Sequence, residues 1–125
     1  MNIPENLKYT KSHEWLAVIN KNEAKIGITD FAQKEITDIV HVELPEINKV
    51  VNKGDSIAIL ESVKSAFDIY SPVSGIIVSI NERIINFPEI INKSPYNDGY
   101  LFVIKFIKNN EFNELLTAKD YKELI

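Results

Sequence analysis

The sequence predicts a mainly β domain with short peripheral helices, and three observations carry that expectation. Short runs of alternating apolar and polar residues recur along the chain, as strands with one buried face require. Gly, Pro, Asn and Asp fall between those runs, where turns need them. Helical spacing dominates only in the final stretch, 108–125, so helices are expected to pack on a β core rather than build it.

Taken in order, "HEWLAVIN" (His13 to Asn20) is a strand, "NKNE" turns it, and "AKIGIT" (Ala24 to Thr29) returns with Ile26 and Ile28 in period two. "DFAQKEI" follows as a short helix, with Asp30 as its cap and Gln33 completing a capping box. "DIVHVELPEI" reads as a strand with Val40, Val42 and Leu44 on one face and Ile39, His41 and Glu43 on the other, ended by Pro45. "SIAILES" and "GIIVSIN" are further strands after the turn signals "NKGD" and "SPVSG". "SPYNDGY" is a loop, and "YLFVIKFI" (Tyr100 to Ile107) is the last strand, with Tyr100, Phe102, Ile104 and Phe106 on one face. In the tail, Phe112, Leu115 and Leu116, then Tyr121, Leu124 and Ile125, fit two short amphipathic helices with Thr117 as the cap between them.

Composition narrows the function. A chain of 125 residues fits one domain, 1–125, with a real core. A formal charge of −4 argues against a nucleic-acid or anionic-membrane surface, since both call for clustered positive charge. Without cysteine there is no disulfide, thiolate nucleophile or zinc–thiolate site, and two histidines argue against a histidine-rich metal site, so no metal is expected. Any redox chemistry must therefore be borrowed from a cofactor. No apolar run approaches the roughly 20 residues that span a bilayer. The start "MNIPENLKYT" lacks the features of a signal or transit peptide, so a bacterial cytoplasm is the expected location, with an organelle matrix as the alternative.

One residue breaks the strand pattern. Lys64, within "ESVKSAFDIYSPVSG", interrupts an apolar run, ten residues after Gly54 and eleven before Gly75. Two turns flanking two strands put the lysine at a hairpin tip, where an ammonium stays hydrated and another protein can reach it. An incidental surface lysine fits that position as well. A nucleophilic lysine fits it poorly, because such a group must shed its proton through burial or a neighbouring cation, and Glu61 and Asp68 are anionic. A lysine acylated by another enzyme remains.

At this point the chain resembles the glycine cleavage system H protein family, whose lipoyl-attachment segment is similar to "ESVKSAFDIYSPVSG". The resemblance extends to "KYTKSHEWL", "IGITDFAQKEITDIVHVELPE", "NKSPYNDGYLFVIKF" and "ELLTAKDYKEL" in order along the chain. Biotinyl domains fit less well, since they place methionines beside the lysine where Val63 and Ser65 stand here. Acyltransferase lipoyl domains carry an Asp-Lys-Ala core and continue into a catalytic domain.

The resemblance implies a flattened β-sandwich or hybrid-barrel lipoyl-domain fold and a non-catalytic carrier with lipoate in amide linkage to Lys64. Its expected partners are the P protein (glycine decarboxylase), the T protein (aminomethyltransferase), the L protein (dihydrolipoyl dehydrogenase), and a lipoate ligase or lipoyl/octanoyl transferase. A monomer is expected. In H proteins the loaded arm folds into a cleft, and by position the matching residues are Ser12, Glu14 and Asp68; without the resemblance, Glu14 and Asp68 read as ordinary solvated carboxylates. His13 is expected to be a structural hydrogen-bonder, Trp15 a packing residue and His41 a surface or satisfied histidine. Asp38, Glu43, Glu46, Glu61 and Asp68 could form an acidic docking surface.

The chain departs from the family pattern at Asn48, where glycine is common, and at Ser65 and Phe67, where smaller residues are frequent. Asparagine is the next-best residue for a left-handed turn. Two other functions use the same domain: a lipoyl-relay protein that donates lipoate to other enzymes or serves a redox-linked modification pathway, and a non-lipoylated interaction module.

Overall fold

The computed structural model describes residues 1–125. Its strands are β1 (Lys8–Tyr9), β2 (Glu14–Val18), β3 (Glu23–Ile28), β4 (Ile39–Glu43), β5 (Val50–Val51), β6 (Ser56–Ser62), β7 (Ala66–Tyr70), β8 (Gly75–Ile80) and β9 (Phe102–Phe106). Its helices are α1 (Asp30–Ile36), α2 (Arg83–Asn86), α3 (Glu89–Lys93) and α4 (Ala118–Leu124), with a 3-10 turn at Asn109–Glu114. A six-stranded sheet runs in the order β1-β2-β3-β9-β8-β5 and a three-stranded one in the order β4-β6-β7, with every pairing antiparallel.

The two sheets share one core, which makes the architecture a β-sandwich. Ile26, Ile77 and Ile104 from the larger sheet and Val42, Leu60 and Ile69 from the smaller belong to a single cluster of 21 buried apolar residues. Each such side chain contributes about 1.5–3 kcal/mol on leaving water. A smaller cluster joins the tail to the body: Tyr9 stacks on Tyr121 with ring centroids 4.8 Å apart, beside Trp15 and Ala118. Tyr9 and Leu116 also exchange both backbone hydrogen bonds, at 2.9 and 2.8 Å.

Several elements differ from the sequence expectation for identifiable reasons. The first helix is capped by Thr29, whose hydroxyl accepts from the Ala32 N–H, while Asp30 lies in the first turn and accepts from the Gln33 side chain at 2.8 Å. In β4 the alternation fails because a bulge between Ile39 and His41 shifts the register, so Ile39 and Val42 are buried and Val40 is exposed. Tyr100 lies outside β9, and Val103 is buried along with Phe102, Ile104 and Phe106 because β9 sits between two neighbours. The first tail helix is a 3-10 turn. Thr117 does cap the second, but that helix buries Ala118 and Tyr121 and leaves Leu124 and Ile125 exposed.

Both glycines that bracket the lysine work as backbone devices. Gly54 holds φ +91°, a turn conformation in which an L side chain is strained. Gly75 is needed for close approach, since a Cβ there would stand 2.1 Å from the Lys105 carbonyl oxygen on β9. Asn48 adopts φ 73°, the left-handed geometry that its replacement of glycine requires. The turn before Gly75 is pinned from the tail: the buried Glu111 carboxylate accepts from the Ser74 N–H and hydroxyl, each at 2.7 Å.

Candidate functional site

β6 and β7 pair with Leu60 opposite Phe67 and Glu61 opposite Ala66, so the chain must reverse between Ser62 and Ser65. The Ser62 N–H donates to the Ser65 carbonyl at 2.9 Å, and the Ser62 hydroxyl oxygen accepts from the Lys64 and Ser65 N–H groups, each at 3.3 Å. One serine thus closes the turn locally. Lys64 is exposed at its tip, and none of the three ion pairs in the chain involves it. Its neighbour Val63 is 84% exposed, the most exposed of the large hydrophobic residues.

A cleft of about 210 Å³ lies along β7, lined by Ser12, His13, Phe31, Glu35, Phe67 and Asp68 among others. Larger hollows, of about 260, 300, 520 and 540 Å³, contain none of Lys64, Ser12, Glu14 or Asp68, and of these four residues only Ser12 and Asp68 line the cleft.

The predicted cleft residues divide. Ser12 and Asp68 line the cleft and are exposed, with Asp68 accepting from the Ser56 hydroxyl at 2.9 Å. Glu14 is 1% exposed and belongs to the layer behind. Its Oε1 accepts from the Thr10 and Ser12 hydroxyls at 2.5 and 2.6 Å, and its Oε2 accepts from the Tyr70 N–H at 3.1 Å. An ordinary solvated carboxylate describes Asp68 and does not describe Glu14. Burying a carboxylate is tolerable only when its lone pairs are used, and three donors use them here. Ser12 joins the two layers, facing the cleft while donating to Glu14.

His13 enters the cleft wall because it takes φ 73°, a left-handed turn between β1 and β2. Its ring lies 4.7 Å from Phe31, and its Nδ1 is 2.8 Å from the Tyr121 hydroxyl, which also pairs with Thr29 at 2.7 Å. Burial pushes the His13 pKa below the usual 6.5, against the opposing pull of Glu14 and Glu35. Burial likewise raises the Tyr121 hydroxyl to about 12, opposed by its hydrogen bond with Thr29.

Sequence reasoning expected a structural hydrogen-bonding role for His13 but missed its place, with Phe31 and Glu35, in the cleft wall. A signal was present for the latter two: they stand four apart on α1 and so share a helix face.

The residues present suit a lipoyl group. The exposed lysine offers the amine, and the cleft pairs the apolar faces of Phe31 and Phe67 with polar atoms of Ser12 and Asp68, so it suits a hydrocarbon arm whose sulfur end can carry a small polar group.

Comparison with known proteins decides the family. The model of the glycine cleavage H-protein family matches residues 7–125. The chain belongs to that family. Similar relatives include the glycine cleavage system H protein of Endomicrobium trichonymphae, 61% identical over 125 residues, with all of both chains covered. That of Coprothermobacter proteolyticus is 48% identical, covering all of this chain and 98% of the relative. Among solved structures, a glycine cleavage system H protein from Mycobacterium marinum superposes with a TM-score of 0.86 at 33% identity, covering 97% of each chain. H-protein family members carry a covalently attached lipoyl group and are carrier subunits.

Proposed function

We propose that this chain is the lipoyl carrier of the glycine cleavage system, lipoylated on Lys64 and working as one non-catalytic unit over residues 1–125. It takes the aminomethyl group of glycine from the P protein to the T protein and is reoxidised by the L protein. The observation that carries the reading is the placement of Lys64, exposed at a hairpin tip three residues before Phe67 and four before Asp68, which line a half-apolar cleft, in a chain that matches the H-protein family from residue 7 to residue 125.

When bound, the lipoyl group supplies the sulfur pair that this cysteine-free chain lacks. The protein's own contribution is presentation and shelter. Lys64 tethers, and tethering raises effective concentration at each partner site. Phe31 and Phe67 give the cleft apolar walls for the hydrocarbon of the arm. Asp68 and Ser12 offer an anionic and a neutral acceptor to an ammonium group, and Glu14 acts through Ser12 as a positioning residue. No helix is long and apolar enough to cross a membrane, and a cytoplasmic site of action fits the reading.

The test is intact-mass analysis with fragment mapping after incubation with a lipoate ligase, ATP and lipoate. One lipoyl addition confined to Lys64, absent from Lys64→Arg, is expected. The lipoylated chain should then support exchange of labelled carbon dioxide with glycine when mixed with P protein. Complete lipoylation without exchange would remove the glycine cleavage assignment and keep the carrier one.

A further inference from the structure

On the antiparallel ladder between β4 and β6, His41 stands directly opposite Glu61, and Glu43, two residues on, shares the face of His41. The ligand atoms of these three side chains all lie within 4.8 Å of one another. None of the three enters an ion pair. Two carboxylates and an imidazole are thus held together on paired strands with no cation of the protein between them. Like charges at such a spacing repel, and a divalent cation turns that repulsion into attraction.

We propose that His41, Glu43 and Glu61 form a binding site for a divalent transition metal of the Zn²⁺ class. The imidazole separates this set from the all-oxygen sites that suit Mg²⁺ and Ca²⁺. Three protein ligands leave a fourth tetrahedral position open to solvent. Composition argues against a histidine-rich metal site, and the site needs only one of the two histidines. The bulge between Ile39 and His41 is what puts the site together: it re-aims the strand so that Val42 turns inward while His41 and Glu43 both stay exposed. Glu61 lies three residues before Lys64 on the same strand-and-turn unit, so an occupied site would neutralise two carboxylate charges close to the attachment hairpin.

The site is independent of lipoylation, so the test uses the unmodified full-length chain and Zn²⁺ alone. Calorimetric titration should show one saturable equivalent. His41→Ala and Glu61→Gln should each weaken binding by more than about tenfold, a loss that even outer-shell changes produce at zinc sites. Glu46→Gln, on an exposed side chain outside the cluster, should leave affinity unchanged. With only two histidines in the chain, the imidazole signals are assignable by NMR, and Zn²⁺ should shift that of His41 and spare that of His13. Mg²⁺ at the same concentration should do neither. Absence of saturable binding, equal binding by all four proteins, or a shift at His13 alone would overturn the proposal.

Discussion

Lys64 and Glu14 are the two charged residues on which the carrier reading turns, and the structure treats them in opposite ways. Lys64 sits on a turn closed by one serine hydroxyl, exposed and unpaired. Glu14 is 1% exposed and takes three hydrogen bonds from Thr10, Ser12 and the Tyr70 backbone. Under the proposed function the difference is one of purpose. A group that must be modified and then swing between partners gains from having no commitments, whereas a group that shapes a cleft wall must be fixed by its neighbours. The local energetics follow: little stability depends on Lys64, and much depends on Glu14.

The sharpest way to break this contrast is Glu14→Ala. It leaves the Tyr70 N–H without its acceptor and takes the charged acceptor away from the Thr10 and Ser12 hydroxyls, which keep only each other and the residue-14 N–H as partners, and hydrogen bonds to a charged group contribute about 1.5–3 kcal/mol each, though not additively. A loss of about 3 kcal/mol in urea unfolding is expected, against no measurable change for Lys64→Arg. A loss below about 1 kcal/mol would place Glu14 among the ordinary surface carboxylates after all.

A smaller effect is expected at the turn. Ser62→Ala removes the acceptor for the Lys64 and Ser65 N–H groups, which water can replace because the turn is exposed. Global stability should change by less than about 1 kcal/mol, as exposed substitutions do. Hydrogen exchange at those two amides should nevertheless quicken while the amides within β6 stay protected. If the strands lost protection too, the hairpin would depend on its tip more than its hydrogen bonding indicates.

The same contrast separates what could be read in the sequence from what could not. Lys64 was legible because its chemistry is local: a charge between two strands with turn signals on either side needs only neighbouring residues to be noticed. The strands β2, β6 and β8 were legible for the same reason, as short apolar runs next to turn signals. Glu14 was not, because its burial depends on Tyr70, 56 residues away, and on a left-handed turn at His13 that no residue type announces. The two-residue strands β1 and β5 are too short to show a period, and α2 and α3 bury one isoleucine each, Ile84 and Ile91, which gives no helical stripe to detect. The grouping of His41 with Glu61 required the β4–β6 register and its bulge, both tertiary facts.

His13 lies between the two extremes, half-buried in the cleft wall, and gives the smallest effect. Its pKa is held below 6.5, first by burial, so the unfolded chain binds a proton that the folded chain refuses. Below neutrality the unfolded state therefore binds more protons, and stability must fall as pH drops through about 6.5 and continue falling until the lower folded value is reached. The anions that face the ring, Glu14 and Glu35, oppose the shift and keep it modest. Thermal unfolding followed from pH 8 to pH 5 should show a gentle decline in wild type, smaller than the change at Ser62 or Glu14. His13→Asn keeps a residue that tolerates positive φ and carries no titrating group, so its curve should be flatter over that window. Because the ring is bonded to Tyr121, protonation also bears on the anchoring of α4, and protection of the α4 amides should fall with the same midpoint. An identical slope in wild type and His13→Asn would assign the acid sensitivity to the carboxylates and leave the imidazole as a packing element of the cleft wall.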